Sequence, residues 1–391
     1  MGRASGTSHI FIALFGIVAG VGEARGDELP TPPAEPAEEV EAAEEPEEPE
    51  LPSPPVTENF PVAPSLPNVI PGAMAWQPDP AEAVPPAGWR FILSDLTIFR
   101  LNPLGLETRL RIGLQKRLYY SEEALEKNNF VFLGAFPRLN PASVHAGLGG
   151  EIQPLSILNV RAFANVQQYF GTFGFLQSFA SPTANYSDST LKDLRDDPLR
   201  PPQTGRLYQL SVQPLVQLKL GPVAVRALFQ FDYWRIAGVR AGSTTAYEPT
   251  VDTLLPDRSW TMSTDTDVLY TGRKGLAIGV RHSYVRPFYK QRHFAATGED
   301  NQAAFEAYTD ANTHQRMGLF AAYTFKDLGP SRFNKPTVIL IASWYLSHRY
   351  RAGTPDAPQA ADAPDSYVSQ AMPYLIVGFA FESDFLNLMR R

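Results

Sequence analysis

The sequence predicts an all-β fold, a transmembrane up-and-down antiparallel β-barrel of about ten strands that follows a disordered Pro/Glu-rich tail. The first observation is residues 106–118, where Leu106, Leu110 and Leu114 alternate with charged residues such as Arg109 and Arg111. Successive side chains of a strand point to opposite faces, so this strand has one apolar and one charged face. The second observation is that the pattern recurs toward the end of the chain, and the third is that long and short connections alternate between the repeats.

The first ninety residues differ in composition from the remainder of the chain. Residues 1–26 combine Arg3, an apolar run at 10–21 and small residues near 26, which predicts a secretory signal peptide. Residues 27–88 are rich in Pro and Glu and contain no Lys or Arg, so they cannot bury enough apolar surface to fold. We interpret them as a disordered acidic linker. It is either a spacer that reaches a partner or a solvated tail without a specific partner.

The charge balance separates this tail from the predicted barrel. The whole chain has a net charge of −7, but residues 90–391 hold 32 of the 34 basic and 26 of the 41 acidic residues, which makes that part +6. No basic stripe with interleaved stacking aromatics is present, so the sequence gives no support to nucleic-acid binding. The absence of cysteine excludes disulfides and thiolate chemistry.

Ten segments have the two-faced pattern of barrel strands. They are residues 106–118, 142–153, 158–170, 207–220, 223–233, 260–271, 276–289, 315–325, 337–350 and 368–381.

The connections between these segments predict how the barrel is arranged. Those at 120–129, 171–205, 237–259, 290–313 and 351–367 are long and polar, while those near 154–157, 220–222, 271–275 and 327–335 are short. Residues 104–382 therefore form the predicted barrel, with 383–391 as a C-terminal extension. We interpret residues 89–103 as a strap or partial plug at the barrel mouth, although Asn102–Pro103 also fits a turn that would add a strand.

At the level of architecture, the chain resembles bacterial outer-membrane β-barrel proteins. In that class the final strand carries alternating apolar residues and ends in an aromatic residue. Leu375, Val377, Phe379 and Phe381 resemble this pattern. The resemblance implies a location in the bacterial outer membrane, with both termini and the acidic linker in the periplasm. It also implies that the barrel contacts outer-membrane lipid and the barrel-assembly machinery. Whether the linker also binds a cell-wall or periplasmic partner stays open.

The inward-facing positions of the predicted strands collect charged residues of both signs. A narrow barrel brings such side chains together, because an unpaired charge in a confined site is costly. Either they pair into a salt-bridged plug or they line a narrow pore that prefers anions. The predicted lumen-lining residues are Glu107, Arg109, Arg111, Arg117, Glu151, Arg161, Lys219, Arg226, Asp232, Asp265, Asp267, Arg281 and Arg316.

The histidines near the long loops raise the alternative of a hydrolase at the outer rim. His293, His314 and His348 fall there together with several aspartates, but no spacing places a base beside a nucleophile. No metal-binding, phosphate-binding or dinucleotide motif is present, so we expect no cofactor and no catalytic residue. The aspartates are Asp300, Asp310 and Asp365.

The functional prediction is therefore a small outer-membrane pore or a plugged barrel with a charged lumen. One alternative is a structural or surface-interaction barrel that uses its long loops, and a second is the rim hydrolase.

Overall fold

The computed structural model describes residues 84–85, 87–197, 203–271, 275–297, 301–325, 334–351 and 373–385. All of them belong to one compact unit that spans 59–391. The predicted signal peptide, the linker up to residue 83 and most of the C-terminal extension lie outside the described residues.

The described chain forms one large antiparallel sheet. Its strands are β1 (Arg90–Leu101), β2 (Gly105–Lys116), β3 (Phe130–Ala135), β4 (Arg138–Asn140), β5 (Ser143–Leu155), β6 (Leu158–Tyr169), β8 (Arg206–Leu220), β9 (Val223–Ala237), β12 (Ser259–Thr271), β13 (Leu276–Pro287), β14 (His314–Thr324), β15 (Asn334–Ser347) and β16 (Tyr374–Asp384). A smaller sheet consists of β7 (Ser178–Phe179), β10 (Thr245–Glu248) and β11 (Thr253–Pro256). Two short helices, α1 (Asp188–Asp196) and α2 (Asn301–Tyr308), and 3-10 turns at Thr172–Gly174 and Gln291–Thr297 lie in the connections.

The large sheet closes on itself because β1 pairs with both β2 and β16. Ile92 lies opposite Asp384, and Leu101 lies opposite Leu375, with an unbroken register between them. Since β3 and β4 both pair with β2 and β5, they form one interrupted strand, and the barrel has twelve strands. The predicted all-β antiparallel barrel is confirmed, whereas the predicted number of about ten strands is wrong.

The two extra strands come from segments whose side-chain pattern is weak. The interpretation of 89–103 as a strap is wrong, because Arg90–Leu101 is β1, and the barrel therefore starts before residue 104. Its inward face carries Leu96 and Ile98 and its outward face Leu93 and Phe99, so apolar residues stand on both faces and the alternation is lost. The other extra strand is the interrupted pair of β3 and β4.

The connections define two ends of the barrel. The long connections after β6, β9, β13 and β15 lie at one end, called the loop end below, and the connections after β5 and β8 lie at the other, the turn end. β1 begins and β16 finishes at the turn end. Residues 117–129, predicted to lie with the long loops, lie at the turn end, where Ser156 donates its backbone N–H to the carbonyl of Leu125. Tyr119 lies at the turn end as well, where its hydroxyl donates to the Pro154 carbonyl.

The outer and inner faces of the wall differ as in a membrane barrel. Outward side chains such as Leu148 and Leu319 are 72% and 60% exposed. Inward positions carry buried polar groups, but they also include an apolar cluster. That cluster contains Leu96, Ile98, Ala224, Leu269, Ala277, Phe320, Ala322, Ile339, Ile341 and Ala380. Among the described residues, no helix has the length and apolar character needed for a membrane span.

Candidate functional site

A hairpin made of β10 and β11 crosses the inside of the barrel near its loop end. All eight residues of its two strands are buried. On one side Glu248 accepts a 2.8 Å hydrogen bond from the hydroxyl of Tyr169 on β6. On the other, Asp252 accepts a 2.7 Å hydrogen bond from the hydroxyl of Tyr345 on β15. β6 and β15 are six positions apart in the ring of twelve strands, so the hairpin spans the barrel from wall to wall.

Asp252 at the hairpin tip is the centre of a buried polar network. It accepts a 2.6 Å hydrogen bond from Nε of Arg351. Nε2 of His348 donates to the Asp252 carbonyl over 3.2 Å, since Nδ1 of this histidine accepts from the backbone N–H groups of Tyr350 and Arg351. Burial raises the pKa of the Asp252 carboxyl, but Arg351 and then His348 lower it, and the pKa lies well below its usual range. Asp252 is therefore ionised and fixes the hairpin to the β15 side of the barrel.

Arg351 connects this network to two other loops. Its Nη1 donates over 2.6 Å to the carboxylate of Asp188, the first residue of α1, and over 2.6 Å to the side-chain oxygen of Asn102. Asn102 lies in the tight connection between β1 and β2. One guanidinium thus joins the hairpin, the helix of the loop after β6 and the rim of the first two strands.

Beneath the hairpin lies a cavity of about 130 Å³, called the chamber below. Thr250 and Val251 of the hairpin tip line it on the loop side, and Leu96, Ile98 and Ile339 of the apolar cluster line it on the other. Its charged lining consists of Arg100, Arg109, Arg138, Arg281, Arg316 and Asp265. Five guanidinium groups therefore surround the chamber against one carboxylate.

Three of these arginines have no carboxylate within ion-pair distance among the described residues. The Arg316 guanidinium stacks on the Tyr374 ring at 3.9 Å from its centroid, and its buried Nη1 has no hydrogen-bond partner. Arg138 faces the ring of Phe163 at 5.7 Å. Arg100 uses only Nε, which donates to a backbone carbonyl. Guanidinium groups that line a cavity with free N–H donors are suited to carboxylates and phosphates.

Most of the predicted lumen-lining residues are buried inside the barrel, and the structure brings them into two ion-pair clusters. Glu151 pairs with Arg111 and Arg161, and Asp267 pairs with Arg226 and Arg281. These six side chains neutralise each other in part rather than form one continuous lining. The remaining predicted residues have other surroundings. Glu107 pairs with Arg109, and Asp265 pairs with Arg281. Asp232 accepts hydrogen bonds from Gln209 and Gln230, and Arg316 lines the chamber. Lys219 is half-buried near the end of β8, and Arg117 lies beyond the end of β2.

Several residues of the site are not indicated by the sequence pattern. Arg100 and Arg138 were missed because their segments were not recognised as strands. Their positions follow the alternation of the strands, since Arg100 lies directly opposite Gly105, which is two residues from the inward Glu107 and therefore on the same face. Glu248 and Asp252 belong to a loop, and nothing in the local sequence indicates that this loop folds into the barrel.

The three histidines of the hydrolase alternative serve as contacts between loops. His314 contacts the carbonyl of Val251 through Nε2, and its ring lies 4.9 Å from that of His348. His293 accepts from the backbone N–H of Lys290 and donates to the carbonyl of Asp257. Asp310 forms an exposed pair with Arg286, while Asp300 and Asp365 lie outside the described residues. Hydrogen bonds to backbone carbonyls thus occupy Nε2 of His293 and of His314.

The closed antiparallel wall, the apolar outward face and the ionic interior are the architecture of bacterial outer-membrane β-barrel proteins. No protein-family model matches the chain, and no curated protein matches it. The solved structures that match include a NanC porin, which has 10% identity and a TM-score of 0.31 over 75% of this chain and 98% of its own.

Two other matched structures are also bacterial barrels. The translocator domain of the autotransporter NalP from Neisseria meningitidis has 11% identity and a TM-score of 0.31, with 76% of this chain and 88% of that chain covered. OccD3 from Pseudomonas aeruginosa has 10% identity and a TM-score of 0.28, with 82% and 100% covered. At these identities and TM-scores the likeness carries no assignment of function.

Proposed function

We propose that this protein is a bacterial outer-membrane channel for small anions, held closed at its loop end by the β10–β11 hairpin. The observation that carries the proposal is the chamber, where five arginines face one aspartate directly beneath the hairpin tip. An excess of guanidinium groups in a confined passage attracts anions and repels cations. The apolar residues on the opposite side of the chamber favour organic anions, whose carbon skeleton has a surface to contact there.

The membrane location is part of the same proposal. A closed sheet has no edge that would leave backbone groups unpaired in hydrocarbon, and the exposed leucines of its outer face are compatible with lipid. The alternation of long and tight connections supports an orientation with the loop end outside the cell. Both ends of the barrel chain then face the periplasm, together with the acidic linker.

The hairpin is the element that must move for solutes to pass. It is anchored on both walls through the Tyr169–Glu248 and Tyr345–Asp252 hydrogen bonds and the Asp252–Arg351 ion pair, and Tyr289, His314 and His348 contact its backbone carbonyls. Because no strand of the wall pairs with β10 or β11 in the described sheets, the hairpin can leave its site without unfolding the wall. The closed form is therefore the resting form in this proposal, and opening requires the loss of those contacts.

The test is conductance in planar lipid bilayers with a salt gradient. We expect rare openings for the unmodified protein, frequent openings for Asp252→Asn and a reversal potential that indicates anion preference. Arg316→Met should lower the anion-to-cation permeability ratio by at least about half, because it removes a charge from the chamber. Arg286→Met is the matched control, since it removes a charge at an exposed site, and it should leave the ratio unchanged.

The apolar cluster favours a second candidate function, that of a closed barrel that presents its loops to a surface partner. Ala224, Leu269, Ala277 and Phe320 fill inward positions between the chamber and the turn end. The same measurement separates the two functions. If Asp252→Asn remains silent across the voltage range while correctly folded, the channel proposal is wrong and the loop-presenting barrel replaces it.

A further inference from the structure

The barrel wall has a notch at the loop end, between β2 and the hairpin of β4 and β5. In the described sheet, β4 pairs with β2 only at Thr108 and Arg109. The first two residues of β2, Gly105 and Leu106, extend past the end of β4 at Asn140 without a ladder partner on that side. On both sides of the notch the wall extends further toward the loop end, because β1 and β2 continue to the turn that joins them and β6 continues into a long loop. The wall is therefore lowest above the tight turn at Pro141.

A cavity of about 290 Å³ occupies this notch and reaches through the wall. Its lining includes two pairs of residues that are adjacent in the chain, Phe99 with Arg100 and Leu106 with Glu107. Within each pair, the first residue belongs to the outward face and the second to the inward face. A cavity that touches both members of each pair connects the outside of the barrel with its interior. Its inner end meets the chamber, since Arg100 and Thr250 line both.

The outer part of the notch is apolar and its inner part is polar. Leu104 and Phe173, both 58% exposed, stand on opposite sides of the mouth, and Phe175 lies behind Phe173. At the inner end two carboxylates already have partners, because Glu248 accepts from Tyr169 and Glu107 pairs with Arg109. The remaining charged group is Arg100, whose terminal nitrogens have no hydrogen bond to any described residue.

We propose that the notch is a binding site for a small, uncharged and largely apolar molecule with one hydrogen-bond acceptor, which enters sideways from the lipid. The exposed apolar residues at the mouth open onto hydrocarbon, and the paired carboxylates leave no site for a cation. The guanidinium of Arg100 donates to the acceptor. The cavity volume lies near the lower limit of small-molecule pockets, so a two-chain phospholipid or a peptide does not fit. This site shares Arg100 and Thr250 with the chamber, but its entrance is in the wall rather than under the hairpin.

Benzophenone is a suitable probe, because it is uncharged and apolar, carries one carbonyl acceptor and forms covalent adducts with nearby C–H bonds on irradiation. The full chain in lipid nanodiscs is irradiated with increasing benzophenone, and the adducts are located by peptide mass spectrometry. We expect saturable labelling within residues 99–106 and 173–175. Leu104→Trp fills the mouth and should reduce this labelling at least about tenfold. Leu276→Trp, the same change at an outward leucine near the turn end, should leave it unchanged.

Two results would overturn the inference. One is labelling that rises linearly and spreads evenly around the apolar belt, which indicates partition into lipid alone. The other is a notch occupied by a co-purified lipid acyl chain that benzophenone does not displace. If Leu104→Trp misfolds, as judged by heat-dependent gel mobility, Leu106→Trp replaces it. The anion conductance of the Leu104→Trp protein should equal that of the unmodified protein, so a failure of this inference and a failure of the channel proposal are distinguishable.

Discussion

Asp252 accepts a 2.6 Å hydrogen bond from Nε of Arg351, and the two side chains form a buried ion pair between the hairpin and the loop after β15. The partners are 99 residues apart in the chain. Because Arg351 also binds Asp188 and Asn102, this ion pair links the hairpin to the other loop-end elements.

Replacement of Asp252 by Asn should release the hairpin while the barrel stays folded. Loss of one partner of a buried ion pair costs about 3 kcal/mol or more, which corresponds to a roughly hundred-fold faster hydrogen exchange of the hairpin amides. Mass-spectrometric exchange of residues 245–256 measures this. Asp188→Asn is the control, because the Asp188 side chain is half exposed and should give a much smaller change. Equal protection in the Asp252→Asn and unmodified proteins would contradict the prediction.

The two wall anchors should contribute independently to hairpin docking. Tyr169→Phe and Tyr345→Phe each remove one hydroxyl that donates to a carboxylate, and each should lower the docking free energy by about 1.5 to 3 kcal/mol. The two hydroxyls belong to opposite walls, so the double variant should give the sum within about 0.5 kcal/mol. Hydrogen exchange of the same segment measures all three variants. If the hairpin of the double variant exchanges no faster than that of either single variant, the hairpin is not held from both sides.

Asp267 should be among the acidic residues on which barrel stability depends most. It is fully buried and accepts hydrogen bonds from both Arg226 and Arg281. Asp267→Asn leaves two buried guanidinium groups without their shared partner and should destabilise the barrel by about 3 to 5 kcal/mol. Urea unfolding followed by gel mobility measures the change. Asp310→Asn breaks an exposed pair and should cost less than about 1 kcal/mol.

The loop at Gln291–Thr297 should loosen as the pH falls below about 6.5. Burial lowers the pKa of His293, whose Nδ1 accepts from the Lys290 N–H and therefore cannot carry a proton in the docked loop. Below about pH 6.5 His293 binds a proton in the undocked loop but not in the docked loop. The docking equilibrium constant therefore falls by at most about tenfold for each pH unit, until the pH reaches the lowered pKa of His293 in the docked loop. Hydrogen exchange of this loop between pH 5 and 8 measures the effect. His293→Gln should abolish the pH dependence, and an unchanged dependence in this variant would rule out His293 as its source.

Two neighbouring residues of β1 should respond oppositely to substitution by leucine. Asp95 points outward, is only 9% exposed and receives long contacts from Thr97, so a carboxylate lies on the face assigned to lipid. Asp95→Leu should stabilise the barrel by about 1 kcal/mol, because charges on that face are unfavourable. Ser94 points inward and donates to Glu382, so Ser94→Leu should destabilise it by about 1 to 3 kcal/mol. Unfolding in lipid vesicles measures both, and the reverse order would mean that the two faces are assigned wrongly.

Side-chain alternation predicts much of the wall, because it depends only on the period of a strand. The segment at 106–118 has leucines on one face and arginines on the other, and it forms β2. The same argument fails for Arg90–Leu101, because the interior beside this strand is filled by the apolar cluster and both faces are apolar. It fails for Phe130–Asn140, because Pro137 interrupts the strand. Arg100 and Arg138 were missed for the same reason.

The sequence by itself determined the class of fold and the general location of charge, because the period of two and the excess of basic residues are local properties of the chain. Only the tertiary structure decided how those charges are used. It paired Arg226 and Arg281 with Asp267, left Arg316 beside the chamber without a carboxylate partner among the described residues, and brought the hairpin with Asp252 across the barrel. These contacts join residues far apart in the chain, and their partners are set by the register and closure of twelve strands, which no local pattern encodes.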